Sequence, residues 1–490
     1  MLRPWKTFIR LNFECVTPLH TQIANGIVEE IRKGRLKPAT ALPGTRMLAQ
    51  ELGVSRKVIV MAFEDLTIQG WLETVPKKGT FVSSKKRKED IAIVPDENTY
   101  SYTINPPPSS LRNSANTEHN TIIFNDGLPD VRLAPIQELG NAYKRIIQRK
   151  GRWRMLGYGY ERGDESLRLA LCNMLTHDRA LSLNESQICV TRGSQMALYL
   201  TAKVLLKAGD CVAVEDPGYS PFWDILKSCG ARILPVAVDG EGMQVHVLED
   251  LCNRVPIKAV YTTPHHQFPT TVAMSKERRE ALVSLSTRFG FAIIEDDYDH
   301  EYHYSPNRNF PLKSYSNSQN VIYIGSVSKL IAPSLRVGYV VGPEDFIDAV
   351  ATYRLMVDRQ GDVTLEQALA ELMQDGEVSR HAREALAIYR ERFLLMEQLL
   401  QKHLKTTSEF DAPQGGLAYW LRFKQELSTE QLHQALLKRG VSVISTENFS
   451  FEGKSLNALR LGYASLNSSE LEEGIKILAD VVLRAEQFNP

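Results

Sequence analysis

No apolar run in this 490-residue chain approaches the roughly 18 residues a membrane-crossing helix needs, and the polar opening Met1-Leu2-Arg3-Pro4-Trp5-Lys6-Thr7 lacks the apolar core of a signal peptide. The expectation is a soluble, cytoplasmic protein with no membrane partner. Cysteine is scarce and scattered: Cys15, Cys172, Cys189, Cys211, Cys229 and Cys252 stand far apart, with no C-x-x-C pair and no histidine pairing nearby. That excludes a disulfide framework, and no metal site is expected. Net charge is lacking as well, with 58 Lys and Arg against 58 Asp and Glu. An even distribution would argue against nucleic acid, but the charge is divided along the chain. Residues 1–88 hold 16 Lys and Arg against 7 Asp and Glu, and the remainder 42 against 51. A basic N-terminal domain precedes an acidic body. The length allows about three domains, and 43% apolar with 24% charged residues is a globular composition.

Between Pro18 and Lys33 the residues Ile23, Ile27 and Ile31 recur every four positions, with Thr17 placed to cap the helix and Gly34 to end it. A second helix fits Arg46 to Leu52, Gly53-Val54 marks a turn, and Ser55 is placed to cap a third helix running to about Gln69. This is helix-turn-helix spacing. In the third helix Ile59, Ala62, Phe63 and Leu66 make the buried stripe, leaving Arg56 and Lys57 exposed where a recognition helix meets base edges. Next come Trp71 to Val75, a Pro76-Lys77-Lys78-Gly79 turn and Thr80 to Val82, a hairpin with a basic tip that reads as a wing. Arg46, Ser55, Arg56, Lys57, Lys77 and Lys78 are the candidate contacts to double-stranded operator DNA.

The same stretch resembles the DNA-binding domain of GntR-type regulators in Leu42-Pro43-Gly44-Thr45-Arg46, in Leu48 to Arg56, in Phe63-Glu64-Asp65-Leu66 and in Gly79-Thr80-Phe81-Val82. One departure is Ala39, where that family usually has glycine. The winged helix-turn-helix domain is therefore placed at 1–84. Residues 85–120 run from Lys85-Lys86-Arg87-Lys88 through Pro106-Pro107-Pro108 without periodicity and read as a flexible linker. As a coil it would span roughly 30–36 Å.

From about Ile122 apolar strands alternate with helices: Ile188 to Val190, Cys211 to Val214, Phe291 to Ile294, Val321 to Ile324 and Val337 to Val341. An α/β domain with a buried sheet is expected, with functional residues at its strand ends. Lys329 follows one strand in Gly325-Ser326-Val327-Ser328-Lys329, and Asp296 ends another in Glu295-Asp296-Asp297-Tyr298-Asp299. A pyridoxal phosphate site needs both groups, an amine for the Schiff base and a carboxylate to keep the pyridine nitrogen protonated. Gly193, Ser194 and Gln195 open a helix after a strand, where backbone amides face an anion. Ser326 and Arg336 can add a hydroxyl and a guanidinium. Tyr219 is placed to stack on the ring, and Tyr298 to hydrogen-bond its phenolic oxygen.

Residues 122–490 resemble fold-type-I aminotransferases, and the whole chain resembles the MocR branch of the GntR regulators. The resemblance implies a large pyridoxal-phosphate-binding domain at 121–375, a small domain at 376–490 and a homodimer. It implies that Lys329 carries the cofactor, Asp296 binds the pyridine nitrogen, Tyr298 the phenolic oxygen, and Ser194, Gln195, Ser326 and Arg336 the phosphate. It further implies that Arg460 pairs with a ligand carboxylate and that the segment of Tyr158 and Tyr160 reaches the phosphate across the dimer. Where aminotransferases carry Asn-Pro-Thr-Gly this chain reads Phe268-Pro269-Thr270-Thr271. His265 and His266 just before it could approach the cofactor, and a structural role is the preferred reading. The functional expectation is a regulator that senses an amine, an amino acid or a vitamin B6 form through an aldimine at Lys329. An active aminotransferase with an appended DNA-binding domain is the alternative.

Overall fold

The computed structural model describes residues 5–84, 103, 121–149, 153, 157–305 and 309–488. Apart from Thr103, the expected linker at 85–120 lies outside the described residues. The chain divides into two compact units, Met1–Asn105 and Pro106–Pro490.

The first unit holds α1 (Trp5–Phe8), α2 (Leu19–Arg32), α3 (Thr45–Leu52), α4 (Arg56–Ile68), β1 (Leu72–Val75) and β2 (Gly79–Val82). Ile23 and Ile27 of α2 pack with Leu48 and Leu52 of α3 and with Ile59, Ala62, Phe63 and Leu66 of α4 in one core. The four-residue period thus points inward on α2, as the sequence predicts. Gly53, at φ 70, turns the chain between α3 and α4, and Leu72 to Val75 pair antiparallel with Val82 to Gly79. The capping expectations need correction. Pro18 occupies the N-cap of α2, so Thr17 lies one position too early, and its carbonyl instead accepts from the Gln22 amide at 2.8 Å. Ser55 does hold the N-cap of α4, but its hydroxyl accepts no capping hydrogen bond. Ala39, the departure from glycine, adopts φ 61 while its N–H donates to the Val82 carbonyl at 2.9 Å.

The second unit opens with β3 (Ile122–Phe124), α5 (Ile136–Gln148) and α6 (Glu165–Arg179). It then alternates through β4 (Ile188–Thr191), α7 (Gly193–Leu205), β5 (Cys211–Asp216), α8 (Ser220–Ser228), β6 (Arg232–Asp239), β7 (Gly242–Met243), α9 (Val245–Arg254), β8 (Ile257–Thr262), α10 (Lys276–Phe289), β9 (Ala292–Asp297), β10 (Val321–Ser326) and β11 (Gly338–Val341). These strands form one eight-stranded sheet in the order β4-β11-β10-β9-β8-β5-β6-β7. β11 runs antiparallel to both its neighbours and β7 antiparallel to β6, while the other pairs are parallel. Six strands therefore end on the same side, where α/β sheets build their sites. Successive residues of β5 alternate between two cores: Val212 and Val214 pack with Phe222 and Trp223 of α8, and Ala213 with Leu282 of α10. Helices cover both faces, which is why the strands read as continuous apolar runs.

After α11 (Glu344–Val357) and α12 (Val363–Gln374), Gly376 at φ 77 turns the chain into α13 (Glu377–His403). A three-stranded antiparallel sheet of β12 (Ser408–Glu409), β13 (Ala418–Phe423) and a later strand β15 (Ala458–Gly462) follows, with α14 (Thr429–Leu437), β14 (Val441–Val443) and the closing α15 (Ser468–Phe488). The first strand of the expected large domain belongs here: β3 pairs parallel with β14, and Phe124 is buried among the residues of α13 and α15.

Candidate cofactor site and DNA-binding surface

Asp296 sits at the end of β9, opposite Ile324 of β10, and is 5% exposed. Its Oδ2 accepts from the Tyr261 hydroxyl at 3.0 Å, while Oδ1 is buried with no hydrogen-bond partner among the described residues. Burial pushes the carboxyl up to about 7, against the Tyr261 hydrogen bond, which lowers it. A buried carboxylate oxygen left without a donor fits a protonated ring nitrogen.

Lys329 lies in the turn after β10. Its Nζ donates to the Gly127 carbonyl at 2.7 Å and lies 4.6 Å from the centre of the Tyr298 ring. Burial holds the ammonium below its usual pKa, with Asp126 and Asp299 opposing that shift. A lowered pKa raises the neutral fraction an amine nucleophile needs.

The residues expected to take a phosphate lie close together on three elements. Gly193 opens α7 at φ 77, and a Cβ there would lie 2.6 Å from Nη2 of Arg336. A Cβ on Gly338 of β11 would lie 2.8 Å from the Ser194 amide nitrogen. Only glycines let the guanidinium, the helix N-terminus and the strand approach this closely. Arg336 takes φ 52 and donates to the Arg192 carbonyl at 3.2 Å. The Ser326 hydroxyl accepts from the Ser328 amide at 3.1 Å, and the Gln195 amide donates to the Tyr219 hydroxyl at 3.4 Å. Tyr219 itself packs edge-on against Phe268, with centroids 5.4 Å apart. The set of groups fits pyridoxal phosphate: an amine, a partnerless carboxylate oxygen, an amide cradle with an arginine, and a ring wall.

Arg460 on β15 is 1% exposed. It donates through Nε to the Asp126 carbonyl at 2.9 Å, through Nη1 to the Pro269 carbonyl at 2.7 Å and through Nη2 to the Tyr298 hydroxyl at 3.4 Å. The Phe268 ring lies 4.7 Å from its guanidinium carbon, so the residue standing where aminotransferases place asparagine is a wall for this arginine. Among the described residues Arg460 forms no ion pair. The Tyr298 hydroxyl donates to the His266 carbonyl at 2.9 Å.

Sequence reasoning missed the Asn125-Asp126-Gly127 turn, where the Asn125 side chain accepts from the amides of Gly127 at 2.9 Å and Leu128 at 2.7 Å. An Asn-Asp-Gly triplet is a turn signal and could have flagged it. It missed Tyr261 and Asp299 too. Within one chain Tyr158 is not brought to this cluster: it is 78% exposed, with the Arg359 guanidinium 4.4 Å above its ring.

In the first unit Arg46, Arg56, Lys57, Lys77 and Lys78 are all exposed or half-buried at the surface. Arg56 Nε donates to the Thr45 hydroxyl at 3.3 Å, tying the N-termini of α3 and α4 together. Lys77 takes φ 63 at the hairpin tip. Two helix N-termini carrying arginine and lysine present both dipole and charge to phosphate.

An α/β sheet with these strand-end groups, preceded by a winged helix-turn-helix, defines a DNA-binding regulator built on an aminotransferase-like domain. The chain belongs to the aminotransferase class I and II family, which matches residues 127–478, and the gntR family of bacterial regulatory proteins matches residues 19–82. That combination is the MocR-type regulator. The chain is 29% identical to the probable rhizopine catabolism regulatory protein MocR of Rhizobium meliloti, covering 97% of this chain and 96% of that protein. It is 28% identical to the transcriptional regulator TauR of Rhodobacter capsulatus, covering 94% and 96%. Among solved structures, a multiple substrate aminotransferase from Thermococcus profundus superposes with a TM-score of 0.71 at 25% identity, covering 76% of this chain and 93% of that one. The family fold implies pyridoxal phosphate as cofactor. No helix among the described residues is long and apolar enough to cross a membrane.

Proposed function

We propose that this regulator holds pyridoxal phosphate at Lys329 and uses it to detect an amino compound bearing a carboxylate, changing its grip on operator DNA in response. Bound there, the cofactor supplies an aldehyde that condenses with amines. Asp296 would hold the ring nitrogen, Tyr219 would stack on the ring, Tyr298 would lie near the phenolic oxygen, and Gly193, Ser194, Gln195, Ser326 and Arg336 would take the phosphate.

One observation carries the sensing reading. Lys329 Nζ and Arg460 Nε hold the adjacent carbonyls of Gly127 and Asp126, at 2.7 and 2.9 Å. A ligand whose carboxylate draws Arg460, and whose amine takes the place of Lys329, competes for both hydrogen bonds of that turn. The turn is joined through β3 to the residues leading back along the chain to the DNA-binding unit, and β3 is paired with β14. Releasing it gives the ligand different interactions in two states, which is what a shift in population requires. The second reading, an active aminotransferase, is favoured by the intact Lys329 and Asp296. It is weakened by Phe268, which cannot donate to a phenolic oxygen.

The test is spectroscopic. Cofactor-loaded protein should show a visible absorption band that changes on adding an amino carboxylate, and Lys329→Ala should lose both band and response. A colourless wild-type protein after incubation with pyridoxal phosphate would overturn the cofactor assignment.

A further inference from the structure

Three histidines gather beside Asp299, where the sequence marks no metal site. His265 and His266 follow β8, and His303 follows β9; each offers one ring nitrogen, and these three atoms lie within 4.8 Å of one another. The ring centroids are 4.4 Å apart for His265 and His266, 5.7 Å for His265 and His303, and 6.3 Å for His266 and His303. His265 and His266 are 4% and 2% exposed. Neither ring nitrogen of His265 has a hydrogen-bond partner among the described residues, nor does Nε2 of His266. Leaving several buried ring nitrogens without partners is costly, and native structures rarely do it without a use.

His266 supplies a second sign of a ligand. Its Nδ1 is held by the Asp299 carboxylate at 2.7 Å, which leaves Nε2 as the ring nitrogen without a hydrogen-bond partner among the described residues. A carboxylate behind a histidine in this way is the usual support of a metal-bound imidazole. Glycine at 415 leaves room for that nitrogen, because a Cβ there would lie 2.7 Å from it. A cavity of about 320 Å³ borders the cluster, lined in part by His265, His303, His300, Glu301 and Arg179, and leaves space for a further ligand such as water.

We propose that His265, His266 and His303 form a binding site for a first-row divalent transition metal of the zinc class, with Asp299 as the outer support. Three imidazoles with an open fourth position suit Zn²⁺, Co²⁺ or Ni²⁺ and not the hard cations, which take oxygen. Metal–nitrogen bonds of about 2.0–2.1 Å put tetrahedral ligand nitrogens roughly 3.3 Å apart, so binding requires a closure of about 1.5 Å, within reach of side-chain rotation. The ion would tie the loops after β8 and β9 together at the point where His303 bridges Gly415 of the small domain. It would also fix Asp299, whose charge acts on Lys329.

The experiment uses the full chain, stripped with chelator and reloaded with pyridoxal phosphate, and titrated with Zn²⁺ and with Co²⁺ as a spectroscopic probe. The expected result is uptake of one ion per chain, with visible Co²⁺ absorption of a four-coordinate site. Asp299→Asn should weaken uptake about 10–100-fold. The His265→Gln, His303→Gln double variant should abolish it. X-ray absorption at the zinc edge of the wild-type protein should show three imidazole nitrogens, a readout that stands whether or not the variants fold. Absence of stoichiometric uptake, uptake unchanged in a folded double variant, or a shell with fewer than three imidazoles would each overturn the proposal.

Discussion

Lys329 and Arg460 hold neighbouring carbonyls of a single turn, the ammonium on Gly127 and the guanidinium on Asp126. The group expected to bind an aldehyde and the group expected to bind a carboxylate thereby meet on one two-residue stretch of backbone. The turn follows β3, which pairs with β14, and meets Lys329 just beyond β10 of the eight-stranded sheet.

Asp296 makes the chain's stability depend on pH with a definite sign. Its pKa is raised by burial, from an ordinary 3.8 to about 7, so the folded state binds the proton more tightly than the unfolded state. That contribution is fully present below about pH 4 and lost as pH rises through about 7, up to about 4 kcal/mol in all. Cofactor-free Asp296→Asn should therefore lose less stability than wild type between pH 5 and pH 8 in urea unfolding, and should bind pyridoxal phosphate more weakly. An identical pH slope in the two proteins would remove Asp296 as its source.

DNA affinity should divide between helix and wing. Arg56→Ala should cost about 1–3 kcal/mol if the side chain reads a base, with relaxed specificity at one position. Lys77→Ala with Lys78→Ala should weaken binding to all sequences alike and reduce the salt dependence by about one unit for each phosphate no longer neutralised. Binding isotherms over a range of salt separate the two effects. Unchanged operator affinity in an Arg56→Ala, Lys57→Ala double variant would refute α4 as the reading helix.

Ala39 carries backbone strain at φ 61 that glycine would relieve. Ala39→Gly should stabilise the hairpin junction by about 0.5–1 kcal/mol, the relief being partly offset by glycine's greater unfolded entropy. Hydrogen exchange at the amides of Leu42 and Val82, which bond to Thr80 and Thr40 across this junction, would report it in the full chain. Equal or faster exchange in the variant would show that the conformation is not strained.

Much of this was legible in the sequence because the physics is local. Buried parallel strands read as apolar runs, so Asp296 and Lys329 could be placed at strand ends, and Gly193 at the start of a helix. The helix-turn-helix declared itself through Ile59, Ala62, Phe63 and Leu66 at helical spacing. What escaped is long-range. β3 has three residues, too few to show a period, and its partner β14 begins at Val441, far along the chain. Tyr261 meets Asp296, and Gly127 meets Lys329, only after the sheet is assembled. His303 was not singled out at all, and only folding brings it beside His265 and His266.

The central claim is tested most directly by operator affinity of the full-length, cofactor-loaded protein with and without a panel of α- and γ-amino carboxylates and simple amines. Arg460→Gln is the informative variant, since a side-chain amide keeps a donor for the neighbouring carbonyls while removing the charge. In the wild type an amino carboxylate should shift operator affinity about 10-fold or more, a change of roughly 1.4 kcal/mol. In Arg460→Gln cofactor and operator binding should persist and the shift should vanish. A ligand effect that survives in Arg460→Gln, or brisk conversion of an amino acid to its keto acid with no effect on DNA, would contradict the account.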